Sequence, residues 1–206
     1  MARSAIPLYT TNQLITAAHG NTYWRDNEAA HWAAIQGGMV LIETIEVAIA
    51  AANIDFTTIP ATYDHLRLVL NGRGTNASTN EALYLTFNAD GGANYDRERL
   101  TANAAAAAVT ETLAQTSGAV GNLPSATATA GLGGSITVDF PDYKGTAYEK
   151  TYIALGASKP AEVAGGIFIY NICGYWRSAA AIDQITLTLG AGNFDVDTIA
   201  SLYGLG

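Results

Sequence analysis

The sequence predicts a mostly β protein, an antiparallel two-sheet β-sandwich of jelly-roll type behind a short N-terminal extension that contains one helix. Three observations predict this fold. Apolar and polar residues alternate along about eight short segments, turn residues recur between those segments, and no helical pattern separates them after residue 38. Strands joined only by turns pair with their neighbours, and each resulting sheet must bury one face against another.

The N-terminal extension differs in kind from the rest of the chain. We assign residues 1–37 to this extension and residues 38–206 to the sandwich domain. Asp26 and Asn27 can cap a helix, the alanines that follow propagate it, and two glycines end it. A helix of about three turns with so few large apolar residues is not stable alone, so we expect it to dock on another surface.

The strands of the sandwich begin where apolar residues start to recur at every second position. Residues 40–47 are rich in β-branched side chains, although their two glutamates would also tolerate a helix, and residues 65–71 alternate cleanly. The remaining predicted strands are 81–87, 134–140, 148–155, 166–175, 182–189 and 199–205. The exception is the stretch from 101 to 130, which we interpret as one strand followed by a long Gly/Ala/Thr-rich loop over 118–134.

Composition and charge exclude several classes of protein. The chain has 206 residues, 49% of them hydrophobic, which is enough apolar surface to fold. Its formal net charge of −8 offers no basic patch for a nucleic acid or an anionic membrane. No window reaches the ~18 apolar residues of a membrane helix, and the start does not resemble a secretion signal. We therefore expect a soluble protein with no nucleic-acid partner and no membrane insertion.

Residues for catalysis are scarce. The single cysteine, Cys173, lies in an apolar run, and we expect it to be a small buried side chain rather than a nucleophile. The three histidines, His19, His31 and His65, are scattered and lack metal-binding spacing. No nucleophile or phosphate-binding glycine motif occurs. We expect no catalytic residue, no metal and no cofactor, and hence no enzyme.

Two groups of acidic residues require separate interpretation. The loop 88–96 is rich in oxygen ligands of the kind calcium binds, but it lacks the closing glutamate of an EF-hand, and we favour a hairpin turn. Asp139 and Asp142, and Asp195 and Asp197, are closely spaced pairs of the kind glycosidases use. An Asp beside Pro or Gly usually serves a turn, so catalysis by these pairs is the disfavoured interpretation.

Aromatic residues near predicted turns suggest a ligand surface. Tyrosine is the most abundant aromatic residue, with eleven copies. Aromatic faces stack on sugar rings while neighbouring Asp, Asn and Arg side chains bind the hydroxyls. The candidates for this role are Tyr95, Tyr143, Tyr175 and Trp176. The alternative for Tyr175 and Trp176 is that they close the sandwich core at a strand end.

Two stretches resemble virion structural proteins of tailed bacteriophages. The first is residues 8–27, where Asn21 and the triplet Arg25-Asp26-Asn27 match a short leader of such proteins, while Asn12 replaces their usual glycine. The second runs over 54–68, continues over 85–95 and closes over 201–205, and is similar to the C-terminal β-sandwich of proteins described as tail fibre, minor tail or capsid decoration. Together the matches span most of the chain.

The resemblance implies a non-enzymatic protein located in the virion and assembled in the host cytoplasm. Its partners would be other phage virion proteins of the capsid or tail, where it would act as a tail fibre or receptor-binding protein or as a capsid decoration or head-fibre protein. It implies a homo-oligomer, with a trimer favoured. The residues that would attach the extension to the virion are Tyr9, Trp24, Trp32 and Ile35. The alternatives are a carbohydrate-binding module for host surface glycan and, third, a glycan-cleaving enzyme. The enzyme would use two of the carboxylates of Asp90, Asp96, Asp139, Asp142, Asp195 and Asp197.

Overall fold

The computed structural model describes residues 38–103, 106–162 and 166–206, and within them all regular structure is β. The chain divides into two units, Met1–Val40 and Leu41–Gly206, and the sandwich belongs to the second. The predicted helix and the four predicted attachment residues, Tyr9, Trp24, Trp32 and Ile35, lie outside the described residues, as do His19 and His31.

Twelve strands form two antiparallel sheets in the described part of the chain. The larger sheet has the order β1-β12-β3-β8-β9-β10-β5-β6, and the smaller has the order β2-β11-β4-β7. The strands are β1 Met39–Glu46, β2 Asn53–Phe56, β3 His65–Gly72, β4 Asn80–Phe87, β5 Tyr95–Asn103, β6 Ala106–Gln115, β7 Gly118–Pro124, β8 Gly134–Pro141, β9 Lys150–Ser158, β10 Phe168–Trp176, β11 Ile185–Leu189 and β12 Ile199–Leu205.

The core lies between the two sheets. Its residues follow from the alternation of side chains along each strand, which turns every second residue inward. Leu66, Leu68 and Leu70 of β3 are all fully buried, as the alternation in 65–71 predicts. An aromatic cluster fills one part of the core. The ring of Phe87 lies 5.7 Å from Phe140, 6.1 Å from Tyr152 and 5.4 Å from Trp176, measured between centroids. The two-sheet antiparallel sandwich predicted from the sequence is therefore correct.

The eight predicted strands are all present, but the region between residues 88 and 134 differs from the prediction. The stretch predicted as one strand forms the β5–β6 hairpin, and β7 occupies the first half of the predicted loop. β7 was not predicted from the sequence, because it has few large side chains. At Gly118 a side chain would overlap the hydroxyl group of Tyr152, so the partner sheet supplies the bulk that β7 lacks. The short strand β2 was also not predicted.

Candidate interaction surface

The outer face of β5, β6, β9 and β10 carries a group of exposed apolar side chains, which we call the outer patch. Its members and their exposed fractions are Leu100 44%, Val109 68%, Ile153 53%, Leu155 59% and Ile169 53%. The strand register makes them neighbours. Leu155 and Leu100 both pair with Asn171 of β10, and Leu100 pairs with Val109. The patch thus forms a strip across four adjacent strands, with the polar Asn171 between Leu100 and Leu155.

The part of the patch on β9 and β10 lies on strands that carry apolar residues on both faces. In β10 the inward residues Tyr170 and Ile172 are buried, while the outward Ile169 and Asn171 are exposed. A strand with large apolar residues on both sides is typical of a strand that is covered on both sides. Among the described residues, only the inner side of β10 is covered.

The area of the outer patch is comparable with the largest apolar patch of a typical monomeric protein, and such patches are often functional. Five large side chains, each roughly half exposed, present on the order of 500 Å² of apolar surface, at the upper end of what monomeric proteins show. Such patches mark interfaces with other molecules.

The edge strand β6 adds a second feature of an interaction surface. It pairs only with β5 in the described part of the sheet, and every one of its residues except Thr112 is exposed. A long edge strand with unpaired backbone groups on one side is a template for pairing with another chain. The outer patch therefore ends at an open sheet edge.

A shallow cavity lies beside the patch on the same face of the sheet. Its volume is about 280 Å³, and its lining includes His65, Arg67, Asp139 and Ile153. The Arg67 guanidinium binds Asp139 through two hydrogen bonds of 2.7 and 2.9 Å, and this interaction raises the pKa of Arg67. His65 accepts a hydrogen bond from the backbone amide of Asp142 through Nδ1. These polar groups satisfy one another.

The four aromatic residues predicted to bind a ligand do not form one surface. Tyr95, Tyr143 and Trp176 are 1%, 1% and 3% exposed, so their rings pack in the core, where no sugar ring can stack on them. Tyr175 points outward and is 46% exposed. It lies opposite Asp96, whose carboxylate binds Arg177 at 2.7 Å. Only Tyr175 retains the geometry that the prediction requires.

The oxygen-rich loop is a self-contained turn, but the hairpin favoured from the sequence is wrong, because β4 and β5 lie in different sheets. The Asp90 carboxylate accepts hydrogen bonds from Trp176 Nε1 at 2.6 Å, from Asn94 Nδ2 at 2.9 Å and from the Gly92 amide at 2.8 Å. These donors, Trp176 foremost, lower the pKa of Asp90. Burial raises the pKa of Tyr95 to about 12, and its hydroxyl donates to the Asp90 carbonyl. The loop thus uses its oxygens internally.

The carboxylates considered for glycan cleavage are engaged in ion pairs or turns. Asp139 is paired with Arg67, and Asp195 accepts the amide of Val196. Arg177 lowers the pKa of Asp96, and Asp90 is shifted in the same direction. A glycosidase acid needs a raised pKa, so these two groups are shifted the wrong way for that role.

Cys173 lies on the opposite side of its strand from the predicted position. The sequence predicts a buried side chain, whereas the thiol is exposed on the outer face of β10 between Ile153 and Glu98. The reason is the strand alternation, which turns Ile172 and Gly174 inward. A side chain at Gly174 would overlap the Tyr152 ring, so that inward position has to be small.

Two searches for other kinds of site gave no candidate among the described residues. No group of three or more His, Cys, Asp or Glu residues is arranged to hold a metal ion there. The described residues also form no helix of the length and hydrophobicity that crossing a membrane requires.

The outer patch is the surface that sequence reasoning missed. The signal was present in residues 167–173, where apolar residues occupy odd and even positions alike and therefore lie on both faces of one strand. That pattern indicates a strand covered on both sides.

Comparisons with known proteins give only distant likenesses, all of them to solved structures. No family model and no curated protein matches this sequence. The fold is similar to the crystal structure of exo-inulinase from Aspergillus awamori, with 10% identity and a TM-score of 0.39, covering 81% of this chain and 29% of that chain. The chain thus spans less than a third of that structure, and a likeness this distant carries no argument about function.

Proposed function

We propose that the chain is a non-enzymatic structural protein of a phage virion whose sandwich is a jelly roll that assembles with further copies of itself through the outer patch. The observation that carries this proposal is the position of the patch. All five of its residues lie on β5, β6, β9 and β10, the two hairpins that the basic jelly roll does not need.

The strand pairing supports a jelly roll. This fold is a long antiparallel hairpin of eight strands rolled into two sheets. Without the β5–β6 and β9–β10 hairpins, the remaining strands lie next to each other as β1 with β12, β2 with β11, β3 with β8 and β4 with β7. Of these eight strands, the first therefore lies beside the last, the second beside the seventh, the third beside the sixth and the fourth beside the fifth. Jelly rolls are common in viral capsid and lectin domains.

The two additional hairpins extend one sheet beyond the eight-strand unit. They continue the larger sheet from β8 in the order β9-β10-β5-β6. Their inner side contributes Tyr152, Tyr170 and Trp176 to the core, and their outer side carries the patch. Large apolar residues on the outer side of an added element do not help this domain fold, so they are explained by contact with another molecule.

A second copy of the chain is the occupant we propose for the patch. The surface of the protein is poor in charge, with 14% charged residues overall, and the patch ends at the open edge of β6. An apolar strip beside an open strand can pair with the same strip of a neighbour, as in closed homo-oligomers. A cyclic trimer is the arrangement that the resemblance to virion proteins favours. Residues 1–37 then attach the oligomer to capsid or tail proteins through Tyr9, Trp24, Trp32 and Ile35.

The experiment that tests this function measures mass and incorporation. Light scattering on the intact chain and on residues 38–206 should give the same oligomer, and the shorter chain should stay folded but no longer join the particle. A monomer in both cases, or an unfolded 38–206, would contradict the proposal.

A carbohydrate-binding module is the second candidate, and Tyr175 favours it. This exposed ring lies beside the Asp96–Arg177 ion pair, which combines a stacking face with hydrogen-bonding groups. Replacement of Tyr175 by Ala should then abolish binding of a neutral saccharide without unfolding the protein. A particle-bound oligomer that binds no saccharide would remove this candidate.

A further inference from the structure

Two neighbouring arginines on the inner side of β5 have no acidic partner in the described part of the chain. Arg97 and Arg99 point to the same side because they are two residues apart on a strand. Every ion pair among the described residues involves other cations, and no described carboxylate lies within 4.0 Å of either guanidinium. In a chain with a net charge of −8, this is a local excess of positive charge.

Arg99 is held in a fixed position with donors to spare. Its guanidinium lies 4.9 Å from the centre of the Tyr170 ring, and its Nε donates to Thr101 Oγ1 at 2.7 Å. The Tyr170 hydroxyl is itself fixed, since it accepts a hydrogen bond from Asn80 Nδ2 and lies 3.2 Å from Ser158 Oγ. No described residue accepts a hydrogen bond from the terminal nitrogens of Arg99. Burial lowers the pKa of Arg99, and an arginine remains charged at neutral pH even so.

Arg97 is the less satisfied of the two. Its Nε is shielded from solvent and has no hydrogen-bond partner among the described residues. A buried donor without an acceptor costs stability, and a second positive charge on Arg99 adds repulsion. The arrangement is explained if an anion binds there.

The two arginines lie at the rim of the sandwich, where the smaller sheet ends. β7, at the edge of that sheet, packs on β8, β9 and β10 and reaches only as far as β5. Beyond it, Thr112 and Thr110 of β6 lie opposite Arg97 and Arg99 on the same face, and Thr110 is exposed. We call these four residues the arginine ledge. Its four residues lie on the inner side of two adjacent strands.

We propose that the arginine ledge binds a carboxylated saccharide. A guanidinium fork matches a carboxylate in two parallel hydrogen bonds, which is the strong form of this contact. The two threonine hydroxyls can donate to and accept from the ring hydroxyls that flank such a carboxylate. This site is separate from the outer patch, which lies on the other side of the same strands, and it does not depend on assembly.

An acidic peptide fits the ledge less well than an acidic sugar. A peptide gains affinity from side-chain pockets or from pairing with a strand edge. The ledge offers no large apolar side chain among its four members, and the open edge of β6 lies beyond the threonines rather than beside the arginines. An acidic peptide therefore serves as the contrasting ligand in the test.

The test is calorimetric titration of the intact chain with an oligomer of glucuronic acid and with a glucose oligomer of equal length. We expect the glucuronate oligomer to bind more tightly than the neutral one, because only the glucuronate oligomer presents a carboxylate to the two arginines. Arg97→Gln and Arg99→Gln should each weaken binding by about tenfold or more, and Arg99→Lys should weaken it less, because it keeps the charge and loses the fork. Near-ultraviolet circular dichroism checks that each variant is folded.

Arg67→Gln is the matched control, because it removes the same charge from the opposite face of the sheet. It should leave the affinity for the glucuronate oligomer unchanged. The proposal is overturned if the glucuronate oligomer does not bind, if the two oligomers bind alike, or if Arg67→Gln weakens binding as much as Arg99→Gln. Binding of a glutamate peptide in place of the sugar, lost in Arg99→Gln, would show that the ligand class is wrong. None of these outcomes depends on the oligomeric state.

Discussion

Leu155→Glu in the intact chain should break the self-association that we propose for the outer patch. Leu155 lies on β9 at one end of the strip, is 59% exposed, and has Asn171 and Thr137 as its neighbours across the sheet. A glutamate here remains in solvent in the monomer, so the fold should tolerate it. In an interface the same carboxylate would be buried without a partner.

The magnitude follows from the area that Leu155 exposes. Full burial of a leucine side chain is worth about 1.5–3 kcal/mol, so the exposed part is worth roughly 1–2 kcal/mol when a neighbour covers it. Leu155→Ala should therefore weaken each contact by about fivefold or somewhat more. Leu155→Glu should weaken it by at least about a hundredfold, because an unpaired buried charge adds several kcal/mol.

Sedimentation velocity over a range of protein concentrations measures both effects. Ile49→Glu is the control, because Ile49 is 83% exposed and lies outside the patch. The expected order of association is wild type equal to Ile49→Glu, then Leu155→Ala, then Leu155→Glu. If Leu155→Glu associates like the wild type, or if Ile49→Glu is equally damaging, the interface is not the outer patch.

Three further predictions concern stability. Hydrogen bonds from Trp176 and Asn94 lower the pKa of Asp90 in the folded state. The contribution of this carboxylate to stability is therefore complete above its unfolded pKa near 4 and is lost as the pH falls through its folded pKa. Between about pH 6 and about pH 3, the urea stability of Asp90→Asn should fall less than that of the wild type. Lys150, 3% exposed, donates from Nζ to the carbonyls of Gly145, Tyr148 and Ala179, so Lys150→Met should cost about 3 kcal/mol in urea unfolding, and an unchanged midpoint would contradict this. Arg97→Met should unfold at the same temperature as the wild type or higher, because it removes a charge that has no acidic partner among the described residues, and a fall of several degrees would show that Arg97 serves the fold.

The fold was predictable where one face of a strand is apolar and the other polar. Leu66, Leu68 and Leu70 fix both the strand and its inward face, and Ile185, Leu187 and Leu189 do the same in β11. β7 was not predictable in this way, because Gly118, Ala119 and Gly121 carry no periodic signal. Its burial comes from side chains of the opposite sheet, and these are distant in sequence.

The functional residues were harder to predict because composition does not show which side of a strand is covered. Tyr95 and Trp176 have aromatic side chains of the kind that stack on sugars, but both rings are buried in the core. Cys173 and Ile172 are adjacent in an apolar run, and only the strand register decides which of them is inward. The arginine ledge was not predicted, since two arginines on a strand are ordinarily solvated or paired.

Both proposed surfaces depend on the register of one strand. β5 turns Leu100 to the outer patch and Arg97 and Arg99 to the ledge, so a shift of one residue would exchange the two faces. The β5–β6 register changes near Tyr95, where Ala114 adopts a positive φ of 54° and its amide donates to Asp96 Oδ1 at 2.8 Å. Arg177, which follows β10, holds the same carboxylate from the other side through two hydrogen bonds. Asp96 therefore joins β5 to both neighbouring strands at the irregular end of the hairpin, where slippage would begin. This irregularity is strained at Ala114 and fixed by three hydrogen bonds. It therefore holds the register of the β5–β6 hairpin, so that the apolar residues stay on the outer face and the arginines on the inner face.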